Sequence, residues 1–301
     1  MNDRNEFLPA FRNASWWSGD SRMAANGRAN EAVLQKLGIL EREDLSGVEA
    51  VQMGHVMQPV IGRLVQERLH IELKDFDIVL QHPKEAWLKS HFDFISTDGK
   101  TLVEAKNYSA SVQNKFNAEA NIIPAADLVQ LIHESACAGV DNVILAVLFG
   151  GQELQTFEFN ITEEQRSDLI KEMAVYWAAV KTSTPLTPET IEQARKTWPQ
   201  SAPNMSCMAN MDIENACQAL KRVKTQIKTL EEQENLIQTQ IMRHMGQASS
   251  LVTIDGKTLA TWSTAKSSTR FNPGLFQSAY PDLYKTFMVE APGSRRFLLK
   301  G

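Results

Sequence analysis

Apolar residues recur along residues 1–182 with the periods of both helices and strands. Between Gly54 and Leu69 they fall three or four positions apart, which predicts a helix with one apolar face. The same spacing predicts helices at 124–138 and 163–181. Shorter apolar runs predict strands at 76–82, 143–149 and 156–160. Alternation of this kind is typical of an α/β domain.

A different pattern begins at residue 205 and extends to residue 301. From Ile213 to Ile241, apolar residues alternate three and four positions apart, with Glu234 as the exception, which predicts a coiled coil or helical hairpin. Short strands are predicted at 251–254 and 258–262, around an Asp-Gly turn. Residues 183–204 contain four prolines and are predicted to connect this part to the first.

The segments HFDFIS and TLVEAKNY predict a β-hairpin, because the Asp-Gly pair at 98–99 lies between them. A two-residue turn there pairs Thr97 with Lys100. Continuing the same register places Asp93 opposite Glu104 on one face of the sheet. Side chains paired in this way have Cβ atoms about 4.5–5.5 Å apart. The sequence therefore predicts two adjacent carboxylates.

Two carboxylates at this distance repel each other unless a cation or a proton lies between them. Oxygen ligands favour Mg²⁺, with Mn²⁺ as the alternative. Lys106 is predicted to lie on the same face as Glu104, where it can position the attacking water or stabilise charge on a phosphate. The backbone carbonyl of Ala105 is a further predicted metal contact. Alone, this pattern also fits an ordinary solvated strand.

Composition restricts the classes of protein to which the chain can belong. The 43% hydrophobic content is sufficient for a folded core, and no apolar run reaches the roughly 20 residues of a membrane span. Three scattered cysteines argue against a disulfide scaffold and predict a cytoplasmic protein. The net charge is −5, yet residues 257–301 alone carry +5, so a basic tail follows an acidic body.

Five motifs occur in order along the first part of the chain. They are SGDSRMAA at 18–25, GHVMQP at 54–59, His82-Pro83 followed by HFDFIS, VEAKNY at 103–108, and Gln130 within ADLVQLIHES. Together they resemble the lambda-exonuclease/YqaJ-type viral recombinase family, a branch of the PD-(D/E)xK nucleases. The resemblance extends over residues 10–180, and the C-terminal part is less similar.

The resemblance implies an α/β fold: a PD-(D/E)xK nuclease core, with a mixed central β-sheet flanked by helices. A C-terminal helical or coiled-coil and small β extension would follow it. The expected domains are an exonuclease core at 1–182, a connector at 183–204, and a helical hairpin with a basic β tail at 205–301. The implied activity is Mg²⁺-dependent 5′→3′ digestion of double-stranded DNA ends, leaving 3′ single strands.

The resemblance also implies partners and further site residues. Expected partners are a RecT/Beta-type single-strand annealing protein and two further copies of the chain in a trimeric ring, in the cytoplasm of a bacterial host. Gln130 is expected to act with the catalytic group Asp93, Glu104 and Lys106. Gln58 stands where the family has glutamate and is expected to be an uncharged metal contact. The expected ligands of DNA and its 5′-phosphate are Arg12, Ser18, Ser21 and Arg22.

Two alternative functions are compatible with the same residues. The first is a structure-specific endonuclease or repair nuclease on the same fold. The second is a non-catalytic DNA-binding assembly protein, in which the D…ExK pattern has no catalytic role.

Overall fold

The computed structural model describes residues 9–75, 78–290 and 293–300. The chain divides into two compact units, Met1–Pro199 and Gln200–Gly301. Each unit is described by itself. The domain limits predicted from the sequence stay a prediction.

The first unit contains seven α-helices and eight strands within its described residues. Its helices are α1 (Pro9–Asn13), α2 (Ser18–Met23), α3 (Ala29–Lys36), α4 (Glu49–Leu69), α5 (Ala125–Ala138), α6 (Glu163–Lys181) and α7 (Ile191–Thr197). Its strands are β1 (Trp16–Trp17), β2 (Leu73–Asp75), β3 (Leu80–Gln81), β4 (Leu88–Ser90), β5 (Phe94–Ser96), β6 (Thr101–Tyr108), β7 (Asn142–Phe149) and β8 (Glu153–Asn160). A π-helical segment at Ala24–Arg28 and a 3₁₀ helix at Ala110–Lys115 complete it.

Five strands form the central sheet, in the order β2-β5-β6-β7-β8. The sheet is mixed, because β6 and β7 are parallel whereas the other neighbours are antiparallel. One face packs on α4 through Ile61 and Val65, and the other face packs on α5 and α6 through Leu131 and Leu169. The predicted α/β architecture, a mixed sheet flanked by helices, is therefore confirmed.

The hairpin has the predicted register but a different turn. Phe94 pairs with Val103 and Ile95 with Leu102, and one further step along this ladder reaches Asp93 and Glu104. In the turn, the amide of Gly99 donates to the carbonyl of Ser96, and Gly99 has a φ of +74°. The central turn residues are therefore Thr97-Asp98 and not Asp98-Gly99, because the glycine takes the left-handed position that follows them.

Two further elements differ from the sequence prediction. The strand expected at 76–82 is replaced by β2 and β3, and residues 76–77 lie outside the described residues. Helix α4 begins at Glu49, before Gly54, and its buried residues lie only in its second half, so Val56 is exposed. There α4 approaches the sheet closely, because a Cβ on Gly62 would lie 2.7 Å from the Phe94 ring.

The second unit is built around one long helix. Its elements are α8 (Met211–Met245), the antiparallel strands β9 (Ser250–Val252) and β10 (Thr258–Thr261), α9 (Pro273–Ala279) and α10 (Pro281–Thr286). Helix α8 is continuous over 35 residues, so the expected helical hairpin is wrong for this segment. Its apolar stripe, which includes Val223, Ile227 and Leu230, is exposed. In the described part of the chain, every helix is too short or too polar to cross a membrane.

Candidate active site

The three central residues predicted from the sequence lie together at the junction of β5 and β6. Asp93 precedes β5, and its Oδ2 atom accepts the backbone N–H of Ala105 at 2.8 Å. The Nζ atom of Lys106 donates to Glu104 Oε1 at 2.5 Å. Glu104 is 5% exposed, whereas Lys106 is half-buried and reaches a surface cleft. The hairpin therefore presents two carboxyl groups and an ammonium group within a few ångströms of each other.

Helix α5 adds two more side chains to this group. Gln130 Nε2 donates to Glu104 Oε1 at 2.7 Å and to Glu134 Oε1 at 2.8 Å. Glu134 is fully buried at 0% exposure, and the sequence interpretation missed it. The available signal was its position four residues after Gln130, which places both side chains on one face of a helix. An acidic residue on the apolar face of a helix was the second part of that signal.

Two carboxyl groups of this cluster, those of Asp93 and Glu134, have raised pKa values. Burial and the nearby charge of Glu104 raise the pKa of Asp93 to about 8, against the opposing effects of Lys106 and the Ala105 amide. Burial and the charge of Glu104 raise the pKa of Glu134 well above its ordinary value. For Lys106, burial lowers the pKa, but the carboxyl groups of Glu104 and Glu134 outweigh this and raise it overall.

The cluster fits a divalent cation. The Oε2 atoms of Glu104 and Glu134 are buried without a hydrogen-bond partner among the described residues. Within residues 9–75, 78–290 and 293–300, no three His, Cys, Asp or Glu side chains form a ready-made metal site. Mg²⁺ is commonly held by only one or two carboxylates and takes its remaining ligands from water and substrate phosphate. Asp93 and Glu104 supply that number of hard oxygen donors, and a cation would relieve their mutual repulsion.

A cleft of about 410 Å³ opens over Lys106 and Gln130. Among the residues that the structure describes, its lining includes Arg12, Arg22 and Arg28 and no acidic residue. The cleft is therefore suited to a phosphate, which arginine can bind through two parallel hydrogen bonds.

Two hydrogen bonds hold the Arg22 side chain at the edge of this cleft. Its Nε donates to Asp127 Oδ1 at 2.9 Å, and its Nη2 donates to the Tyr108 hydroxyl at 2.9 Å. Asp127 is buried on α5, and Tyr108 ends β6. The pKa of Arg22 is raised, because the effects of Tyr108 and Asp127 exceed the lowering caused by burial. The N-terminal segment is thus joined directly to α5 and β6, which carry Gln130, Glu134, Glu104 and Lys106.

The two predicted serines occupy different environments. Ser18 lines the cleft, whereas Ser21 is 0% exposed. Ser21 Oγ accepts from Trp16 Nε1 at 3.0 Å and lies 2.8 Å from His133 Nδ1. His133 Nε2 is 2.9 Å from the carbonyl of Lys89, so Nε2 carries the proton and Nδ1 accepts from the serine. The Ser21 hydroxyl is therefore used inside the protein.

Gln58 was predicted as a metal contact, but in the described structure it forms no hydrogen bond with the cluster. It lies half-buried on α4, and among the described residues it has no hydrogen bond to Asp93 or Glu104. Its expected role as a metal contact stays a prediction. The same holds for the backbone carbonyl of Ala105.

A buried ion pair holds the N-terminal segment in place. Lys36 Nζ lies 2.5 Å from Asp20 Oδ2 and donates to the carbonyl of Arg12 at 2.8 Å. Both charged side chains are fully buried, and Arg42 lies 3.5 Å from the other oxygen of Asp20. Burial lowers the pKa of Lys36 to about 8, although Asp20 opposes this shift.

We expect Lys36→Met to lower the free energy of unfolding by about 3 kcal/mol, because it leaves the Asp20 carboxylate buried without its ammonium partner. Urea denaturation of the variant and the wild type measures this difference. Lys181→Met, at an exposed position, is the matched control and is expected to change stability by less than about 0.5 kcal/mol. Equal stability of the two variants would contradict the role assigned to the ion pair.

The segment that contains this site is similar to a known protein family. Residues 25–141 match the family described as the YqaJ-like viral recombinase domain. Over these residues the chain is similar to a YqaJ-like domain. The match confirms the resemblance predicted from the sequence and, with it, the deoxyribonuclease class. The matched residues include Asp93, Glu104, Lys106, Gln130 and Glu134, whereas Arg12, Ser18 and Arg22 of the cleft precede them.

Solved structures resemble the chain at low identity. An alkaline exonuclease, LHK-Exo from Laribacter hongkongensis, has 14% identity and a TM-score of 0.45, covering 57% of this chain and 90% of that chain. LHK-Exo in complex with dAMP has 15% identity and a TM-score of 0.46, covering 64% and 97%. A phage-related exonuclease from Haemophilus somnus 129PT has 10% identity and a TM-score of 0.42, covering 54% and 81%. No curated protein matches the sequence significantly.

Proposed function

We propose that the YqaJ-like domain is a metal-dependent 5′→3′ exonuclease that digests double-stranded DNA ends and leaves 3′ single strands. The observation that carries this proposal is the cluster of Asp93, Glu104 and Lys106 on one hairpin, beside a basic cleft. Phosphodiester hydrolysis needs acidic groups that hold a cation and a positive group that acts on the phosphate or the attacking water. The cluster contains both.

Each residue of the cluster has a distinct role in the proposal. Asp93 and Glu104 would hold Mg²⁺ or Mn²⁺, together with the Ala105 carbonyl. When bound, such an ion polarises a phosphate and lowers the pKa of water. Lys106 donates hydrogen bonds that orient the attacking water or stabilise charge on the phosphate. Gln130 fixes Glu104 through its amide N–H.

The basic cleft supplies the proposed contacts to DNA. Arg12, Ser18 and Arg22 line it beside the cluster and would bind the 5′-phosphate of the strand that is cut. We leave Ser21 out of this set because its hydroxyl is used internally. An annealing partner of the RecT/Beta type, a trimeric ring and the cytoplasm of a bacterial host belong to the same proposal.

Digestion of labelled DNA tests the proposed function. Linear duplex labelled at the 5′ or the 3′ end is incubated with Mg²⁺, Mn²⁺ or EDTA, alongside covalently closed circular DNA. We expect early release of the 5′ label, an intact circle, faster cutting of 5′-phosphorylated ends than of 5′-hydroxyl ends, and no reaction in EDTA. Cutting of the closed circle would instead indicate an endonuclease. DNA binding without cutting under any of these conditions would indicate an assembly protein.

We expect the affinity for Mg²⁺ to rise with pH up to about 8 and then to level off, because a proton must leave Asp93 before the cation binds. The raised pKa has the opposite effect on the metal-free protein. The stabilisation from protonated Asp93 is complete below its unfolded pKa, near 4, and is lost as the pH rises towards 8. Calorimetric titration with Mg²⁺ at pH 6.5, 7.5 and 8.5 measures the affinity. A pH-independent affinity in the wild type would contradict the prediction, and Asp93→Asn should remove the dependence.

A further inference from the structure

We propose that Glu134 is a positioning residue that fixes the orientation of the Gln130 amide, so that its N–H groups face the buried carboxyl groups and its carbonyl oxygen serves the cleft. This inference rests on the proposed function of the same site. It assigns a role to the buried acidic residue that the sequence interpretation missed.

The hydrogen bonds of Gln130 define the orientation. A glutamine amide has two N–H donors and one carbonyl acceptor. The Nε2 atom of Gln130 donates to Glu104 at 2.7 Å and to Glu134 at 2.8 Å, so both of its hydrogens are used. All three side chains are buried, and Gln130, at 7% exposure, also lines the cleft. The carbonyl oxygen is therefore the polar atom of this amide that remains for a partner from the cleft.

Glu134 is needed to exclude the reversed amide. With Glu104 as the only carboxyl partner, a rotated amide could place its carbonyl oxygen near Lys106, whose ammonium lies 2.5 Å from Glu104 Oε1 and could donate to it instead. With Glu134 as a second acceptor, rotation of the amide would break two N–H···O hydrogen bonds instead of one. Leaving buried polar groups unpaired in this way is unfavourable.

A buried carboxyl group at this position carries a desolvation cost, although it also interacts with the Lys106 ammonium. Glu134 is fully buried, its Oε2 atom has no hydrogen-bond partner among the described residues, and burial raises its pKa. An apolar side chain would fill the same space without that desolvation cost. The residue is therefore better explained by what it does to Gln130 than by its own contribution to stability.

The orientation decides which kind of group Gln130 can bind. Phosphate oxygens accept hydrogen bonds and do not donate them, so a carbonyl oxygen facing the cleft cannot bind the DNA backbone. It can accept from a water molecule or from an ammonium group. Glu134 thus commits Gln130 to the attacking water or to Lys106, and not to the DNA strand. Its loss should therefore lower kcat and leave the KM for DNA ends unchanged.

Paired variants test the role in catalysis. Glu134→Leu is expected to lower kcat about 10- to 100-fold with KM within about twofold of the wild type. Glu134→Gln should restore most of kcat, because its side-chain carbonyl can accept the same N–H. In a Gln130→Ala background, Glu134→Leu should have no further effect, since both changes act through one amide. Independent losses that multiply in the double variant would overturn the proposal. Ser135→Ala, also buried on α5, controls for general disturbance of the helix.

A second measurement does not depend on cleavage. In ¹⁵N-resolved NMR spectra, the side-chain N–H₂ signals of Gln130, assigned by their loss in Gln130→Ala, should exchange slowly with solvent in the wild type and in Glu134→Gln. They should exchange at least about tenfold faster in Glu134→Leu, where one hydrogen has no acceptor. Unchanged exchange in Glu134→Leu would overturn the proposal even if the enzyme is active. If Glu134→Leu fails to fold, fast exchange of these signals in Glu134→Gln would overturn the proposal instead. Absence of DNA cleavage by the wild type would refute only the proposed function.

Discussion

Glu104→Gln is expected to lower kcat/KM for DNA ends by about 10²- to 10³-fold, the loss typical when one strong electrostatic contact is removed from an active site. Glu104 contacts more than one member of the cluster. Its Oε1 atom accepts from both Lys106 and Gln130, and it faces Asp93 across the hairpin. An amide at this position keeps the shape but removes the charge that a divalent cation and Lys106 both need.

Stability should respond in the opposite direction to activity. Above pH 8, where Asp93 is ionised, two adjacent carboxylates lie beside one ammonium group, and removing one negative charge relieves their repulsion. We therefore expect the midpoint of thermal unfolding of Glu104→Gln, measured at pH 9 without metal, to equal or exceed that of the wild type. Glu164→Gln, at an exposed position, is the matched control and should change neither property. Activity within tenfold of the wild type at saturating Mg²⁺ would refute the assigned role of Glu104.

Lys106→Met is expected to lower kcat by about 10²- to 10³-fold while the KM for DNA ends changes by less than about threefold. The methionine preserves most of the side-chain volume and removes the ammonium group that lies 2.5 Å from Glu104. DNA affinity should persist because the proposed function assigns binding of the DNA backbone to the arginines of the cleft and not to this lysine. Steady-state kinetics and a binding assay on the same duplex measure the two effects.

The control for this variant is Lys74→Met, which removes an exposed lysine on β2. It should leave kcat and KM unchanged. A Lys106→Met protein that loses DNA binding in parallel with activity would show that the lysine serves binding and not the chemical step. Lys106→Arg should not rescue kcat fully, since a guanidinium group cannot occupy the same point as an ammonium group.

The central cluster could be predicted from the sequence because it depends on local geometry. Strand alternation places Glu104 and Lys106 on one face, and the hairpin register brings Asp93 to the same place. The predicted pairing of the two strands is correct even though the turn centres on Thr97-Asp98. The apolar pairs Phe94–Val103 and Ile95–Leu102 follow the same alternation. Short-range pattern and turn chemistry together were sufficient here.

The rest of the site depends on contacts between segments far apart in the chain. Glu134 belongs to the cluster because α5 packs beside β6, and the sequence spacing alone does not give that packing. Ser21 appeared suited to bind phosphate, but tertiary contacts with Trp16 and His133 bury its hydroxyl. The segment of the long helix α8 was predicted to form a coiled coil or a helical hairpin. The spacing of its apolar residues indicates a helix but does not indicate where that helix ends.

The parallel pairing of β6 with β7 has a consequence for synthesis of the protein. Glu104 lies beside Leu145 and Lys106 lies beside Val147. Strand β6, which carries Glu104 and Lys106, is therefore supported by a strand that leaves the ribosome about 40 residues later. Parallel pairing requires such a delayed return of the chain. A polypeptide released before residue 142 has the acidic and basic groups but lacks the strand that aligns them. Prematurely terminated products should therefore be harmless to the DNA of the cell that makes them.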